Sequence, residues 1–402
     1  MENEILYLKG KNMIDDNIKN VISKKWIKEL LGDLHSIEFE IIQDNNNQKN
    51  KKDNIDIPIS ILIANLSAAI STRKSIGTAT EITLKDVKSK MDTNAGEAYA
   101  KALKYNNILN YIATSEGKDE YGEFVKDPLK EIENVITNGF GIAVDVIDGT
   151  TLAAKGLHGA YTLSACAKNL KKFPDFQAYA LGCPKPIIDK FNFYNKPEDE
   201  IISLVKNLSE YYKKPISELK IVTSSYDKGF QHQTLIDNMK KLGVQVIIPD
   251  PVIVEPPYIL SMGLHSENGA DAIIGVLGLP EMVINTLLLS TIKTDCELKF
   301  RIASNAFLDD RNKKDLEYIF NFKDTEKKDL QSLNLDIEKT YQKEEIATNF
   351  ESACFCATAL TDDDILKLEG LKIKNSTVKL ETIFSGINGY ILKLITTHLI
   401  DF

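Results

Sequence analysis

The sequence predicts an α/β protein in which helices pack on sheets. The first observation behind this prediction is a regular alternation of short apolar runs and helical patterns between residues 219 and 291, which is typical of an α/β layer. The second is a group of short apolar runs between residues 111 and 167 that follows two helical patterns. The chain has 402 residues, 43% hydrophobic and 27% charged, which is enough for two domains or one large layered domain.

Helices and strands are predicted along the whole chain after residue 56. Apolar residues recur at helical spacing over 57–70 and 91–103, and strands are predicted at 111–114, 141–146 and 160–167. Further strands at 219–223, 244–248 and 272–276 alternate with helices at 231–242, 257–265 and 280–291. A charged helical stretch at 313–333 precedes alternating runs at 353–360, 378–384 and 390–399. Asn388-Gly389, between the last two runs, is typical of a β-hairpin turn.

The first 55 residues differ in character from the rest of the chain. Residues 1 to about 43 carry a modest helical pattern (Trp26, Leu30, Leu31 and Leu34), and the tract 44–54 is polar throughout, which predicts a loop or linker. We therefore expect an N-terminal extension with a polar linker over residues 1–55, an α+β domain over 56–215, and an α/β domain over 216–402.

Charge and cysteine content exclude several classes of function. The net charge of -9 argues against nucleic acid or an anionic membrane as the main partner, because both attract basic surfaces. Five cysteines without a dense pattern are typical of a compartment in which thiols stay reduced. The first 20 residues carry several charges and no apolar stretch of signal-peptide length. We expect a cytoplasmic protein, and whether it forms a homo-oligomer is left open.

Two aspartates meet at the end of one predicted strand. Asp145 lies near the end of an apolar run, Asp148 follows it, and Gly149-Thr150-Thr151 can open a helix. Two carboxylates this close favour a hard cation such as Mg²⁺ or Mn²⁺, and the start of a helix favours phosphate. The alternative is a plain turn at Asp148-Gly149 with Thr150 as a helix cap.

The segment 142–156, with Asp145-x-x-Asp148-Gly149-Thr150 at its centre, closely resembles the class II fructose-1,6-bisphosphatases of the lithium-sensitive phosphatase superfamily. The likeness runs from about residue 59 to residue 400. Four further segments are similar to motifs of that family: the helix of its other catalytic aspartate, two segments that each hold a metal-binding glutamate, and a strand end. They are 91–98, 115–120, 270–281 and 356–362.

The resemblance implies a sugar-phosphatase-like layered α-β-α-β-α architecture with two mixed-sheet domains. It also implies a phosphatase that uses two or three Mg²⁺ or Mn²⁺ ions to hydrolyse a small phosphorylated metabolite. The implied metal ligands are Glu116, Asp145, the carbonyl of Ile147, Asp148 and Glu281. The implied catalytic residues are Asp92, Thr150 and Glu116, with Thr150 bonded to Asp92 and orienting the attacking water. Each acid also has a simpler reading: Asp92 as a helix cap, Glu116 as a loop charge and Glu281 as a first-turn helix charge.

The expected substrate-binding residues come from the same resemblance, some of them as the nearest replacements for the family's residues. They are Asp148, Gly149, Thr150, Tyr179, Lys228, His232, Asp250 and Gly278. For His232, a role as a capping or solvated residue at a helix start is equally open.

The sequence departs from the family where the rest of a sugar bisphosphate would bind. Gln231 stands where the family has an arginine, and Pro251-Val252 follows Asp250 where the family has Gly-Asp. The chain has few arginines to clamp a second phosphate. We therefore expect a sugar or polyol phosphate other than fructose-1,6-bisphosphate. The alternatives are an inositol-phosphate or nucleotide 3′-phosphatase, and a catalytically weak ligand-binding homologue.

Overall fold

The computed structural model describes residue 31 and residues 33–44, 56–105, 110–116, 139–224, 233–267, 269–305, 316–387 and 390–400. Within these ranges the helices are α1 (Asp56–Thr72), α2 (Leu84–Tyr105), α3 (Thr150–Lys155), α4 (Lys185–Ile188), α5 (Pro197–Tyr212), α6 (Gln233–Lys241), α7 (Glu255–Gly263), α8 (Leu279–Thr291), α9 (Asp324–Ser332) and α10 (Lys343–Ile346). The strands are β1 (Asp33–Asp44), β2 (Asn110–Ser115), β3 (Phe140–Asp148), β4 (Tyr161–Lys168), β5 (Gln177–Pro184), β6 (Lys220–Val222), β7 (Gln245–Ile247), β8 (Ala272–Gly278), β9 (Cys296–Ala303), β10 (Thr340–Tyr341), β11 (Asn349–Ala359), β12 (Lys372–Lys374), β13 (Thr377–Ile387) and β14 (Tyr390–Leu399).

Two mixed sheets form the frame of the described molecule. The first has the strand order β1-β14-β13-β11-β4-β3-β2, with β12 paired to β13. Its β2 and β3 run parallel, and its other neighbours run antiparallel. The second sheet has the order β10-β9-β5-β8-β6-β7, with β6 parallel to both β7 and β8. The predicted α/β class with mixed sheets is therefore confirmed.

Helices cover both outer faces and fill the space between the sheets. On the first sheet, α1 contacts β4, β11 and β13, and α2 contacts β3. Between the sheets, α8 contacts strands of both, and its apolar sequence is buried from Leu279 to Leu289, as expected for a helix that is hydrophobic on every side. On the far face, side chains of α5 and α6 share a cluster with β5, β6 and β8. These contacts give the layer order α-β-α-β-α.

One N-terminal segment differs from its predicted structure. The helical pattern extended to about residue 43, but residues 33–44 form β1, which pairs antiparallel with β14. The reason is visible in the local alternation of Ile37, Phe39 and Ile41 with Glu38 and Glu40, which is the period of a strand. Part of the expected N-terminal extension is thus a strand of the first sheet.

The expected domain division at residue 215 stays a prediction. Each sheet contains strands from both sides of this residue. In the first sheet β11, β13 and β14 join β3 and β4, and in the second sheet β8 pairs with β5. Asn388 and Gly389, the predicted hairpin turn, lie outside the described residues, but the strands on either side pair as a hairpin would. None of the described helices combines the length and apolar character that a bilayer crossing needs.

Candidate active site

Three acidic side chains from distant parts of the chain meet at one point. Glu116 follows β2, Asp145 lies on β3 and Glu281 lies in the first turn of α8. One carboxylate oxygen of each lies within 4.8 Å of the other two. Asp145 and Glu281 are only 3% and 4% exposed, although buried charges are strongly disfavoured unless they are paired or bind a cation. The structure therefore brings together three of the expected metal ligands.

The fold explains how Glu116 and Asp145 become neighbours. Strands β2 and β3 are parallel, and Ser115 lies opposite Val144. The residues that follow this pair, Glu116 and Asp145, therefore lie at the same level of the sheet. The backbone N–H of Ile147 donates to Asp145 Oδ1 at 3.0 Å, which fixes the direction of this carboxylate.

Gly149 makes the sharp turn from β3 into α3. Its φ of 76° and ψ of 41° are left-handed, a conformation that glycine adopts without the strain of a side chain. A Cβ at this position would also lie 3.0 Å from Val254 Cγ2. The turn therefore requires glycine for its backbone angles and packs closely against the segment before α7.

The Thr150 hydroxyl lies between Asp92 and the end of β3. Thr150 Oγ1 is 3.1 Å from Asp92 Oδ1 and 2.9 Å from the carbonyl oxygen of Ile147. Gly149 is the N-cap of α3, so the alternative reading of Thr150 as the helix cap does not hold. Asp92 lies well inside α2, which excludes the same reading for it. The expected contact between Thr150 and Asp92 is present.

Burial and like charges oppose ionisation of Glu281. Burial raises the pKa of Glu281 well above its usual range, and the negative charge of nearby Glu116, with which it can share a proton, raises it further, as do Asp145 and Glu255. Neither buried oxygen of Glu281 has a hydrogen-bond donor within the described part of the chain. A bound cation would supply the missing positive charge.

The donor set fits a hard divalent cation. Glu116, Asp145 and Glu281 offer only carboxylate oxygens, which suit Mg²⁺ and Mn²⁺ better than softer metals. The Glu281 oxygens are already buried without competing donors in the described region. A first-turn helix charge that served only the helix would not need such burial, so the structure favours the metal reading of Glu281.

Glu255 is a fourth buried acid beside this group, and sequence reasoning missed it. It is the first residue of α7 and is 3% exposed. Burial, and to a smaller extent the charge of Glu116, raises its pKa from 4.5 to about 8. The available signal was an acid between the apolar residues Ile253-Val254 and Pro256-Pro257, where a charge without a function is unusual.

Two other expected ligands have different surroundings. Asp148 is buried at the end of β3 opposite Tyr161, and it lies outside the group of three. The Ile147 carbonyl oxygen accepts a hydrogen bond from Thr150, which leaves a second lone pair. Their roles as metal ligands stay predictions.

Gly278 makes room for Glu281. It is the N-cap of α8, and a Cβ built on it would overlap the carboxylate of Glu281. The Glu281 side chain therefore folds back over the backbone of Gly278. This contact gives Gly278 a structural reason besides the expected contact with substrate.

Tyr179 does not lie with the acids. Along β5, Ala178 and Ala180 share the cluster that contains α8, whereas Tyr179 belongs to the cluster on the opposite face of the second sheet. Its ring packs against Phe193 at 5.9 Å between centroids, and the side chain is buried. Because alternate residues of a strand face opposite ways, the Tyr179 side chain points away from α8, and its expected contact with substrate stays a prediction.

Three of the expected substrate contacts remain. Asp250 is exposed, between β7 and α7, where a substrate hydroxyl could reach it. Lys228 and His232 lie outside the described residues. These three assignments stay predictions.

Comparison with known proteins agrees with this site. The sequence model of the family described as "Bacterial fructose-1,6-bisphosphatase, glpX-encoded" matches residues 63–399. A D-fructose 1,6-bisphosphatase class 2/sedoheptulose 1,7-bisphosphatase from Synechococcus sp. (strain JA-2-3B'a(2-13)) is 25% identical over 264 residues, which cover 65% of this chain and 70% of the relative. The protein of the same name from Synechococcus sp. (strain JA-3-3Ab) is 24% identical over 264 residues, with the same coverage of each chain.

The family match includes every element that supplies the three acids. Residues 63–399 contain β2, β3, α8 and the helix that carries Asp92. The resemblance noted in the sequence is therefore confirmed over most of the chain. The protein belongs to the bacterial, glpX-encoded fructose-1,6-bisphosphatase family, whose members are metal-dependent phosphoric monoester hydrolases.

Proposed function

We propose that the chain hydrolyses the phosphate monoester of a small sugar or polyol, with Mg²⁺ or Mn²⁺ bound by Glu116, Asp145 and Glu281. The observation that supports this most is the meeting of these three carboxylates within 4.8 Å. Thr150, five residues after Asp145, and Asp92 are in hydrogen-bond contact and supply the second half of the site. Neither feature is needed to stabilise the fold, because both concentrate buried polar groups.

The chain's own residues orient the reactants. Two or three divalent cations bound at the acids would neutralise the charge of the phosphate. They would also lower the pKa of a bound water, so that it could lose a proton and attack as hydroxide. When the Thr150 hydroxyl donates to Asp92, its oxygen can accept a hydrogen bond from a water and align that water for attack. The Ile147 N–H keeps Asp145 turned in one direction throughout. The expected phosphate contacts of Gly149 and Thr150, and the expected metal roles of Asp148 and the Ile147 carbonyl, belong to this proposal.

The preferred substrate follows from where the chain differs from its family. Gln231 in place of an arginine removes a bidentate donor for a second phosphate. Pro251-Val252 leaves Asp250 as the one acid at that loop position to bind sugar hydroxyls. These differences support the proposal that fructose-1,6-bisphosphate is not the preferred substrate and that a phosphate with fewer anionic groups is.

Release of inorganic phosphate from a substrate panel tests both parts of the proposal. The panel holds fructose-1,6-bisphosphate, sugar monophosphates, polyol phosphates, an inositol monophosphate and a nucleoside 3′,5′-bisphosphate, each with Mg²⁺ and with Mn²⁺. We expect turnover that requires metal, is fastest with a sugar or polyol monophosphate, and is abolished by Asp145→Asn.

Each contrary outcome overturns a different part. If fructose-1,6-bisphosphate were the best substrate, the substrate preference would be wrong while the hydrolase proposal stood. If an inositol or nucleotide phosphate were best, the sugar class would be wrong. Ligand-induced thermal stabilisation without any phosphate release would identify a binding protein. A cytoplasmic location and a homo-oligomeric state stay predictions that this panel does not address.

A further inference from the structure

A second group of metal-ligating side chains lies away from the acids of the active site. It consists of His265, just after α7, and Asp295 and Cys296, at the start of β9. One ligand atom of each of the three lies within 4.8 Å of the other two. The group offers an imidazole nitrogen, a carboxylate oxygen and a sulfur, which is a different donor set from the carboxylates of the active site.

The fold holds Asp295 and Cys296 in place. The Tyr211 hydroxyl donates to Asp295 Oδ2, so the other carboxylate oxygen, Oδ1, faces His265 and Cys296. The backbone N–H of Cys296 donates to Thr294 Oγ1 at 3.0 Å. A hydrogen bond from an outer side chain to a ligating carboxylate is the usual support of a protein metal site.

Backbone and side-chain contacts also fix the position of His265. Its φ of 50° is left-handed, as is common where a helix ends, and the Ser266 N–H closes this end of α7 by donating to the Ser261 carbonyl oxygen. The edge of the Tyr212 ring packs against its imidazole, with 6.2 Å between centroids. His265 Nε2 lies 2.8 Å from Asp295 Oδ1. Beside this pair, the Cys296 thiol is buried and lies 3.8 Å from the carbonyl oxygen of Met262.

The distances are close to those of a tetrahedral zinc site. With Zn–N and Zn–O of about 2.0 Å and Zn–S of about 2.3 Å, tetrahedral ligands lie roughly 3.3 to 3.6 Å apart. Here the nitrogen and oxygen are 2.8 Å apart and the sulfur is 3.9 Å from the same oxygen. On binding, the nitrogen–oxygen pair would open by about 0.5 Å and the oxygen–sulfur pair would close by about 0.4 Å.

The three side chains differ in their exposure to solvent. The side chains of His265 and Asp295 are 43% and 44% exposed, so a cation can enter from solvent and keep a water. The Cys296 thiol is buried, and burial raises its pKa to about 12. A cation must therefore displace the thiol proton when it binds.

We propose that His265, Asp295 and Cys296 form a second metal site, for Zn²⁺ or a cation of similar ligand preference, with solvent as the fourth ligand. The site is separate from the oxygen-only acids that suit Mg²⁺ or Mn²⁺. Its donor set favours Zn²⁺ and Co²⁺ over Mg²⁺, because nitrogen and sulfur ligands suit these metals.

Titration of the metal-free full chain with Co²⁺, in excess Mg²⁺, tests the proposal directly. A bound thiolate gives Co²⁺ a charge-transfer absorption that carboxylate sites lack. We expect this absorption to saturate at one equivalent and to disappear when Zn²⁺ is added. Cys296→Ser should abolish it, and His265→Ala, at an exposed position that the core does not need, should weaken binding by at least about tenfold.

Two matched variants separate this site from other metal and thiol chemistry. Asp145→Asn removes an active-site acid, and Cys356→Ser removes a buried thiol of the first sheet, and both should keep the absorption unchanged. Absence of the absorption in the parent protein would overturn the proposal. An equal absorption in folded Cys296→Ser, with folding checked by circular dichroism, would overturn it as well.

Discussion

Thr150 places one hydroxyl proton within reach of two acceptors, Asp92 Oδ1 at 3.1 Å and the Ile147 carbonyl oxygen at 2.9 Å. Thr150→Ala should lower kcat by roughly 10² or more, because it removes a group that acts in the transition state. The apparent affinity for metal should change little, since the three acids are untouched. Thr150→Ser keeps the hydroxyl and should keep most of the turnover. Full activity in the alanine variant would rule out the proposed role of Thr150.

Glu255 makes the stability of the metal-free protein depend on pH. Its pKa is raised from 4.5 to about 8, so the folded chain holds a proton that the unfolded chain releases. The stability from this protonated carboxyl is complete below pH 4.5 and is lost as pH rises towards 8. We therefore expect urea unfolding in a chelator to show a less stable protein at about pH 8 than at about pH 5.

Glu255→Gln isolates this contribution. Glutamine does not ionise, so the variant should lose less stability over the same pH range. Glu218→Gln, which changes an exposed glutamate, should leave the pH profile of the parent unchanged. If the free energy of unfolding of Glu255→Gln changed with pH as steeply as that of the parent, Glu255 would not be protonated in the folded, metal-free chain.

At the scale of the element, the junction of β8 and α8 sets the position of Glu281. Gly278 ends the strand and caps the helix, and its missing side chain leaves the space that the Glu281 carboxylate occupies. Gly278→Ala should therefore displace the carboxylate and weaken Mn²⁺ binding by about tenfold or more, with little change in secondary structure. Calorimetric titration with Mn²⁺ measures the effect.

A double-mutant cycle shows whether the effect passes through Glu281. If it does, Gly278→Ala should add little to the loss of Mn²⁺ affinity already caused by Glu281→Gln, because neighbours that act on one interaction are not additive. Additive losses would mean that Gly278 acts by another route, such as direct contact with substrate. This outcome would favour the role expected from the sequence.

Alternation of apolar residues predicted most of the elements, and the failures have local causes. Strands β3, β4 and β8 and helices α1 and α8 lie close to their predicted bounds. Strand β5 went unpredicted because it is buried on both faces and contains small residues rather than an alternating pattern. The face of Tyr179 could not be predicted without this strand, since one residue of register decides which layer a side chain enters.

The active site was predictable only where a motif named its residues. Asp92, Glu116, Asp145 and Glu281 each lay in a segment similar to a known family. The meeting of Glu116, Asp145 and Glu281 depends on the strand order and on the position of α8. Glu255 lay in no such segment, and its proximity to Glu116 comes from the packing of α7 against α8 and β8. Long-range contacts of this kind are set by tertiary structure and have no local signal.

At the scale of the whole molecule, the three acids come from different layers of the fold. Asp145 and Glu116 belong to the first sheet, and Glu281 belongs to the helix between the sheets. Repulsion among the three carboxylates opposes the packing of these layers in the metal-free protein. A bound cation attracts all three, so the net electrostatic interaction becomes favourable. Metal binding should therefore stabilise the entire fold, by about 2.7 kcal/mol when Mn²⁺ is at 100 times its Kd.

Glu281→Gln should then have opposite effects with and without metal. In a chelator at neutral pH the variant should have a higher Tm than the parent, because the folded parent must take up a proton that glutamine does not need. In saturating Mn²⁺ the order should reverse, because the variant has lost a ligand. Glu326→Gln is the matched control: this buried glutamate accepts bonds from Ser304 and from the N–H groups of Asn305 and Lys323. It should lower Tm in both conditions, and the same behaviour in Glu281→Gln would mean that its carboxylate stabilises the fold rather than binding metal.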